Sequence, residues 1–282
     1  MRWQGRRGSR NIEDRRRMSA GKAGGLGGLG LIAVLLIGTF LGVDVSPLLQ
    51  ESGGGIVQPS SGELTQADKD AGQFVSVTLA DTEEVWSDIF LTQSETSYRP
   101  ATLVLFKGMT SSSCGGASGA TGPFYCPGDN KIYLDTEFFT TLSKKFGAKG
   151  DFAAAYVVAH EVAHHVQNEL GILGQANKIR AQVNQEQSNA ISVRIELQAD
   201  CFSGIWARRA QKRFGSLERG DIAEAMNAAK QIGDDTLMLN AGRVPMPHTF
   251  THGTSDQRQR WFVIGYENAK LSACDTFSAK KL

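Results

Sequence analysis

The 282-residue chain has little net charge (+1 at neutral pH), no internal repeat and only four cysteines. Near-neutrality argues against nucleic acid as the main partner of the folded part, since binding to phosphate backbones needs a surplus of cations. Lack of a repeat sets aside solenoids and propellers. The small total hides an asymmetry: residues 1–22 hold eight cations and two anions, a net of +6, which leaves −5 for the remainder. Charge is missing altogether from Ala23 to Val43. At 1.5 Å per residue such a stretch covers about 30 Å as a helix, the thickness of a bilayer core.

These absences set the expected organisation. Residues 1–22 form a basic head, 23–43 a transmembrane helix and lipid contact, 44–63 a flexible linker rich in Gly, Ser and Pro, and 64–282 the functional domain. With the cations on the N-terminal side, the head is expected in the cytoplasm and the domain in the periplasm or outside, a single-pass protein of the cytoplasmic membrane. A cleaved signal peptide is the rival reading, but the apolar run is long for one and no small-x-small cleavage site follows closely.

Within the domain, Asp70 to Phe90 reads as one or two amphipathic helices interrupted by Gly72. Ala101 to Phe106 and Lys131 to Asp135 read as strands on either side of a Gly/Ser-rich loop, 108–130. Helices follow at 136–146, from Asp151 as N-cap, at 188–214, at 216–232 and at 254–271, the last opened by a Thr254-x-x-Gln257 capping box. The stretch 175–187 is polar, a solvated helix or loop.

The chemistry concentrates in Ala154 to Gln167, AAYVVAHEVAHHVQ, where His160, Glu161 and His164 have the spacing H-E-x-x-H. Positions i and i+4 share a helix face, so both imidazoles can grip one ion, whereas His165 points elsewhere. Apolar residues on nearly every face mark a buried helix, in which unpartnered polar groups are costly. A zinc ion supplies the partner, and Glu161 stands between the ligands, placed to act on a bound water. A catalytic zinc usually takes a third protein ligand. Glu196 fits, in an apolar helix that also carries Asp200 four residues on. Asp200 can accept the free ring N–H of a ligating histidine, His160 being expected, and so set its tautomer.

Glu196-Leu-Gln-Ala-Asp200 downstream of the H-E-x-x-H looks like the E-x-x-x-D arrangement of gluzincin metallopeptidases. RWQGRRGSRNIEDRR, GPFYCPGDNKIYLD, ELQADCFSGIW, THGTSDQR and CDTF together resemble the bacterial neutral zinc metallopeptidase family over nearly the full chain. That resemblance implies an α+β, zincin-like fold, mostly helical with a small, partly antiparallel sheet. It also implies a single Zn2+, a peptide or protein substrate and endopeptidase activity. By likeness to membrane-associated CAAX-type and heat-shock metallopeptidases, 131–135 would be an edge strand that binds extended peptide. In gluzincins a downstream histidine often helps to stabilise the oxyanion. His252 is the candidate here, with Arg258 nearby in sequence, while His248 is expected to be incidental.

The expected reaction is amide hydrolysis, with zinc on His160, His164 and Glu196, and Glu161 as general base. Two other classes are a zinc-containing scaffold or peptide-binding chaperone of the cell envelope and a purely structural zinc domain. Neither needs a carboxylate that is not a ligand at position 161. An exported domain further predicts that Cys114 pairs with Cys126, closing the Gly/Ser-rich loop, and admits a second bridge, Cys201 to Cys274.

Overall fold

A computed structural model of the protein describes residues 1–17, 63–94, 96–118 and 121–282. The expected transmembrane segment and all but the last residue of the expected linker lie outside them. Among the described residues, no helix is long and apolar enough to cross a membrane. The fold is mostly helical with a small mixed sheet, an α+β architecture.

The first strand, β1 (Ile12–Asp14), comes from the basic head. Helix α1 (Gln66–Gln93) starts at a capping box: the Thr65 hydroxyl accepts the Asp68 N–H, and the Asp68 carboxylate accepts the Thr65 N–H. It is a single helix, unbroken by Gly72. A Cβ there would lie 2.6 Å from Nη2 of Arg16, so this glycine leaves room for the guanidinium. Strands β2 (Thr102–Phe106), β3 (Met109–Ser112), β4 (Gly115–Ser118), β5 (Phe124–Cys126) and β6 (Lys131–Asp135) follow. The stretch expected to be loop therefore contains the antiparallel β3–β4 pair and strand β5.

The main sheet has the order β1-β2-β6-β5, with β1, β2 and β6 parallel and β5 antiparallel to β6. This corrects one expectation. β6 is an interior strand, its backbone paired on one side with β2 and on the other with β5, so it cannot be the edge that receives a peptide; the sheet ends at β5.

Helix α2 (Phe138–Lys144) precedes α3 (Asp151–Glu169), the helix of the H-E-x-x-H. Asp151 is its first helical residue rather than its N-cap, which is Gly150 with φ 107°. Glu224 from a later helix accepts the free N–H of Phe152 at 3.1 Å, and a Cβ at Gly150 would lie 2.0 Å from that carboxylate, so only glycine fits. The chain continues through α4 (Ile172–Arg180), α5 (Gln185–Phe214), α6 (Asp221–Gln231), α7 (Asp234–Asn240) and α8 (Ser255–Asn268). α7 was not expected, whereas α8 begins at the foreseen Thr254–Gln257 capping box.

α3 is packed by α1, α5, α6 and the sheet, with Phe152, Tyr156, Val158, Val162 and Val166 wholly buried. Helices α5 and α8 touch through backbone. A Cβ at Gly265 would lie 1.8 Å from the Cys201 carbonyl oxygen, and one at Gly204 would lie 2.0 Å from that of Phe262. Both pairs of cysteines are joined: Cys114 to Cys126, and Cys201 to Cys274.

Residues 1–17 pack on the domain instead of standing apart from it. Arg6 makes two hydrogen bonds to Asp81, at 2.6 and 2.7 Å, and lies over the Phe214 ring at 4.5 Å. Arg16 pairs with Asp14 and donates to the Asp68 carbonyl, and Trp3 meets Phe74 edge-on at 5.6 Å. The terminal ammonium of Met1 lies among Asp151, Glu218 and Asp221. The domain therefore comprises residues 1–17 together with the chain from 63 onwards. Arg2, Arg6 and Arg7 of the head meet Glu218, Asp81 and Glu84 of the domain, and β1 hydrogen-bonds to β2. A head in the cytoplasm and a domain beyond a bilayer cannot coexist with that pairing.

Lys131 Nζ lies 2.7 Å from Glu13, and both side chains are about one-third exposed. A zero-length carbodiimide should therefore couple these two residues in the full chain, and digestion followed by mass spectrometry should recover the joined peptide. Its absence, alongside efficient coupling at other amine–carboxylate pairs, would show that the head is not docked.

Candidate metal centre

One turn of α3 presents His160 and His164 towards α5, with their rings 4.8 Å apart and nearly perpendicular. Glu196, in the middle of α5, reaches both: Oε2 lies 3.0 Å from His160 Nε2, and Oε1 lies 3.4 Å from His164 Nε2. Donors held at 2.0–2.1 Å around a tetrahedral zinc stand roughly 3.3 Å from one another. The two separations from Glu196 are close to that spacing, and one donor atom from each of the three residues lies within 4.8 Å of the others, so the set can close on one zinc.

Each histidine is oriented by a partner on its other nitrogen. His160 Nδ1 lies 2.9 Å from Asp200 Oδ1, and His164 Nδ1 lies 2.9 Å from Gln167 Oε1. Gln167, wholly buried, is itself fixed by donating to the Ile195 carbonyl and to Gln198. Asp200 is also wholly buried and serves three groups: His160, the Tyr156 hydroxyl, and Arg258, which donates through Nε and Nη2 at 2.8 and 3.0 Å. Such partners fix the tautomer that leaves Nε2 free for a metal.

Electrostatics point the same way. Burial opposes a charge on His160, but Asp200 and Glu196 overcome it and push its pKa up to about 10. Burial likewise opposes a charge on His164, and Glu196 again outweighs it, raising the pKa. Burial would raise the Glu196 carboxyl, yet the two histidines hold it well below the usual carboxylate range. A site that draws positive charge onto two imidazoles also favours a divalent cation. Glu161, 7 % exposed, is raised by burial, the direction that makes a carboxylate a better base.

His252 sits beyond α7. Asp234, at the start of that helix, accepts the N–H groups of Thr251, His252 and Gly253 on Oδ2 at 2.8, 2.7 and 3.0 Å, and meets His252 Nδ1 with Oδ1 at 3.2 Å. The ring is 43 % exposed and close enough to Glu196 to lower the pKa of that carboxyl. His165 belongs elsewhere. It lies between the Tyr98 and Tyr125 rings with Nε2 2.7 Å from the Arg99 carbonyl oxygen, and burial lowers its pKa. His248 is exposed, and its carbonyl accepts from Asn189.

Sequence reasoning missed Gln167, Tyr156 and Asp234. Gln167 and Tyr156 carried a usable signal: each is a polar residue of an otherwise apolar helix, three and four residues from a histidine of the motif. Asp234 carried none, because its role depends on how α7 meets the 251–253 turn.

A second acidic group, Asp151, Asp221 and Glu224, lies at the start of α3, where Asp151 and Asp221 face the Met1 ammonium.

The chain is 44 % identical over 288 aligned positions to "Uncharacterized protein YpfJ" of Escherichia coli strain K12, an alignment that covers 98 % of this chain and 99 % of that one. It is 41 % identical over 227 positions to "Uncharacterized protein Rv2575" of Mycobacterium tuberculosis strain H37Rv, covering 76 % and 74 %. No solved structure matches it at a significant level. Residues 1–277 match the family described as "Putative neutral zinc metallopeptidase", and the chain belongs to that family.

Proposed function

We propose that the protein is a zinc-dependent endopeptidase with a zincin-like domain of the gluzincin kind. It would hold one Zn2+ on His160, His164 and Glu196 and act on peptide or protein substrates. What carries this reading is that His160 and His164, on the helix that also presents Glu161, converge with Glu196 of α5, the three donors lying within 4.8 Å of one another. A structural zinc domain or a metal-bound scaffold would have no use for that buried carboxylate between the ligands.

When bound, the ion would polarise the scissile carbonyl and make an attacking water more acidic. The side chains do the rest. Glu161 takes the proton from water and returns it to the departing amine. His252 donates from Nε2 to the carbonyl oxygen as negative charge grows there, its ring held from behind by Asp234. Asp200 and Gln167 keep the two ligand imidazoles in the required tautomer. Contact with lipid through residues 23–43, other than as a single crossing, rests on their lack of charge. With the head docked, residues 1–17 and the catalytic domain share one side of the bilayer.

The purified full chain should bind one zinc ion and cleave casein. A chelator should abolish cleavage, and added zinc should restore it. Zinc and peptide binding with no cleavage under any condition would favour the scaffold.

A further inference from the structure

The first half of α5 and the Pro247–Thr249 turn enclose an open groove lined by Glu186, Ala190, Val193, Pro247, His248 and Phe250. Its floor is apolar, Val193 and Phe250 being 8 % and 5 % exposed. Glu186 and His248, which also line it, are exposed. The turn is held to the helix by Asn189, which donates to the His248 carbonyl at 3.0 Å. Met246, 42 % exposed, stands next to the turn in sequence and Val244, 79 % exposed, two residues earlier. Exposed apolar side chains gathered beside a groove mark a place where something apolar docks.

Two of the residues lining the groove adjoin residues of the metal centre along the chain. Val193 is three residues before Glu196 and is its neighbour on the helix surface, with Cβ atoms about 5–6 Å apart. Phe250 is two residues before His252. The segment leaving Phe250 lies along α5, where a Cβ at Gly253 would be 3.2 Å from Val193 Cγ1 and 3.3 Å from Leu197 Cδ2. A peptide whose scissile carbonyl lies between Glu196 and His252 would therefore lay the side chain of a residue flanking that bond over Val193.

We infer that this groove is the specificity pocket of the peptidase and takes a bulky apolar side chain, such as leucine, phenylalanine or methionine, from the residue beside the scissile bond. This inference rests on the peptidase reading above. The groove therefore has to be tested by binding as well as by cleavage.

Ala190 is exposed on α5, so Ala190→Trp should fill the groove without disturbing the core, and Ala190→Glu should make it polar. A thermal melt checks that each variant folds. The binding arm uses zinc-loaded Glu161→Gln protein with two fluorescent hexapeptides, one with two central leucines and one with two central glycines. The leucine peptide should bind about tenfold or more tightly than the glycine peptide, and either change at Ala190 should erase the difference. In the cleavage arm, wild-type protein should cut a peptide library next to bulky apolar residues, and Ala190→Trp should shift the cuts towards small ones. Equal binding of the two peptides, or unchanged discrimination after both substitutions, overturns the groove. A wild-type dimer that Ala190→Trp converts to monomer also overturns it, because the occupant would then be a second copy of the chain. Preferential binding of the leucine peptide with no cleavage upholds the groove and sinks the hydrolytic reading instead.

Discussion

Replacing Glu161 by glutamine should leave zinc content and thermal stability close to wild type while removing nearly all hydrolysis. The amide has almost the same shape as the carboxylate, and Glu161 is outside the set of converging donors, so neither packing nor the ligands change. An amide cannot take a proton from water, and general-base catalysis contributes typically 10²–10⁴-fold. Glu196→Gln and His164→Ala should behave differently, losing zinc first and activity as a consequence. Asp200→Asn should keep the ligands but weaken zinc binding by roughly 10- to 100-fold, since the amide is a poorer partner for the His160 ring. Metal content by emission spectroscopy, read beside casein hydrolysis, separates the three patterns. Full activity in Glu161→Gln, or unchanged zinc affinity in Glu196→Gln, would show that the roles are wrongly assigned.

Removing Arg258 should have the largest effect on stability. The Arg258 and Asp200 side chains are 2 % and 0 % exposed, and they make two hydrogen bonds to one another. Breaking a buried pair from one side leaves an uncompensated charge and costs about 3–5 kcal/mol. For a domain of this size that corresponds to a fall in Tm of roughly 6–20 °C. Arg258→Ala should therefore melt well below wild type, and the loss should reach the metal centre, because Asp200 also orients His160. The double variant Arg258→Ala with Asp200→Asn has a cavity but no stranded carboxylate. It should melt at a higher temperature than Arg258→Ala alone. If the double variant is the less stable of the two, the penalty lies in lost packing rather than in charge.

Helix α8 positions Arg258 only because α5 and α8 touch through their backbones. At Gly265 a methyl group would lie 1.8 Å from the Cys201 carbonyl oxygen, one residue from Asp200. The bridge from Cys201 to Cys274 and the hydrogen bond from Gln198 to the Cys274 carbonyl hold the end of the chain against the same stretch of α5. Helix α3 is thus oriented by residues that lie well downstream of it in the chain, Asp200 and Arg258 in particular.

What could be determined from the sequence alone was local. Helical spacing put His160 and His164 on one face, and the same rule put Glu196 and Asp200 on another helix. Short-range signals located β2, β6 and the capping box of α8. Tertiary structure decided everything that joins distant segments: Gln167 braced against Ile195 and Gln198, Asp234 behind His252, and Arg258 completing Asp200. It also decided the head. Eight cations ahead of an uncharged stretch look the same whether they face lipid or the protein's own carboxylates, because charge patterning records sign and spacing but not the identity of the partner. Arg6 and Arg16 find Asp81 and Asp14, and Gly72, which looked like an interruption in a helix, is the space into which Arg16 fits. A three-residue strand has too little periodicity to be seen, so β1 became visible only when β2 was there to pair with it.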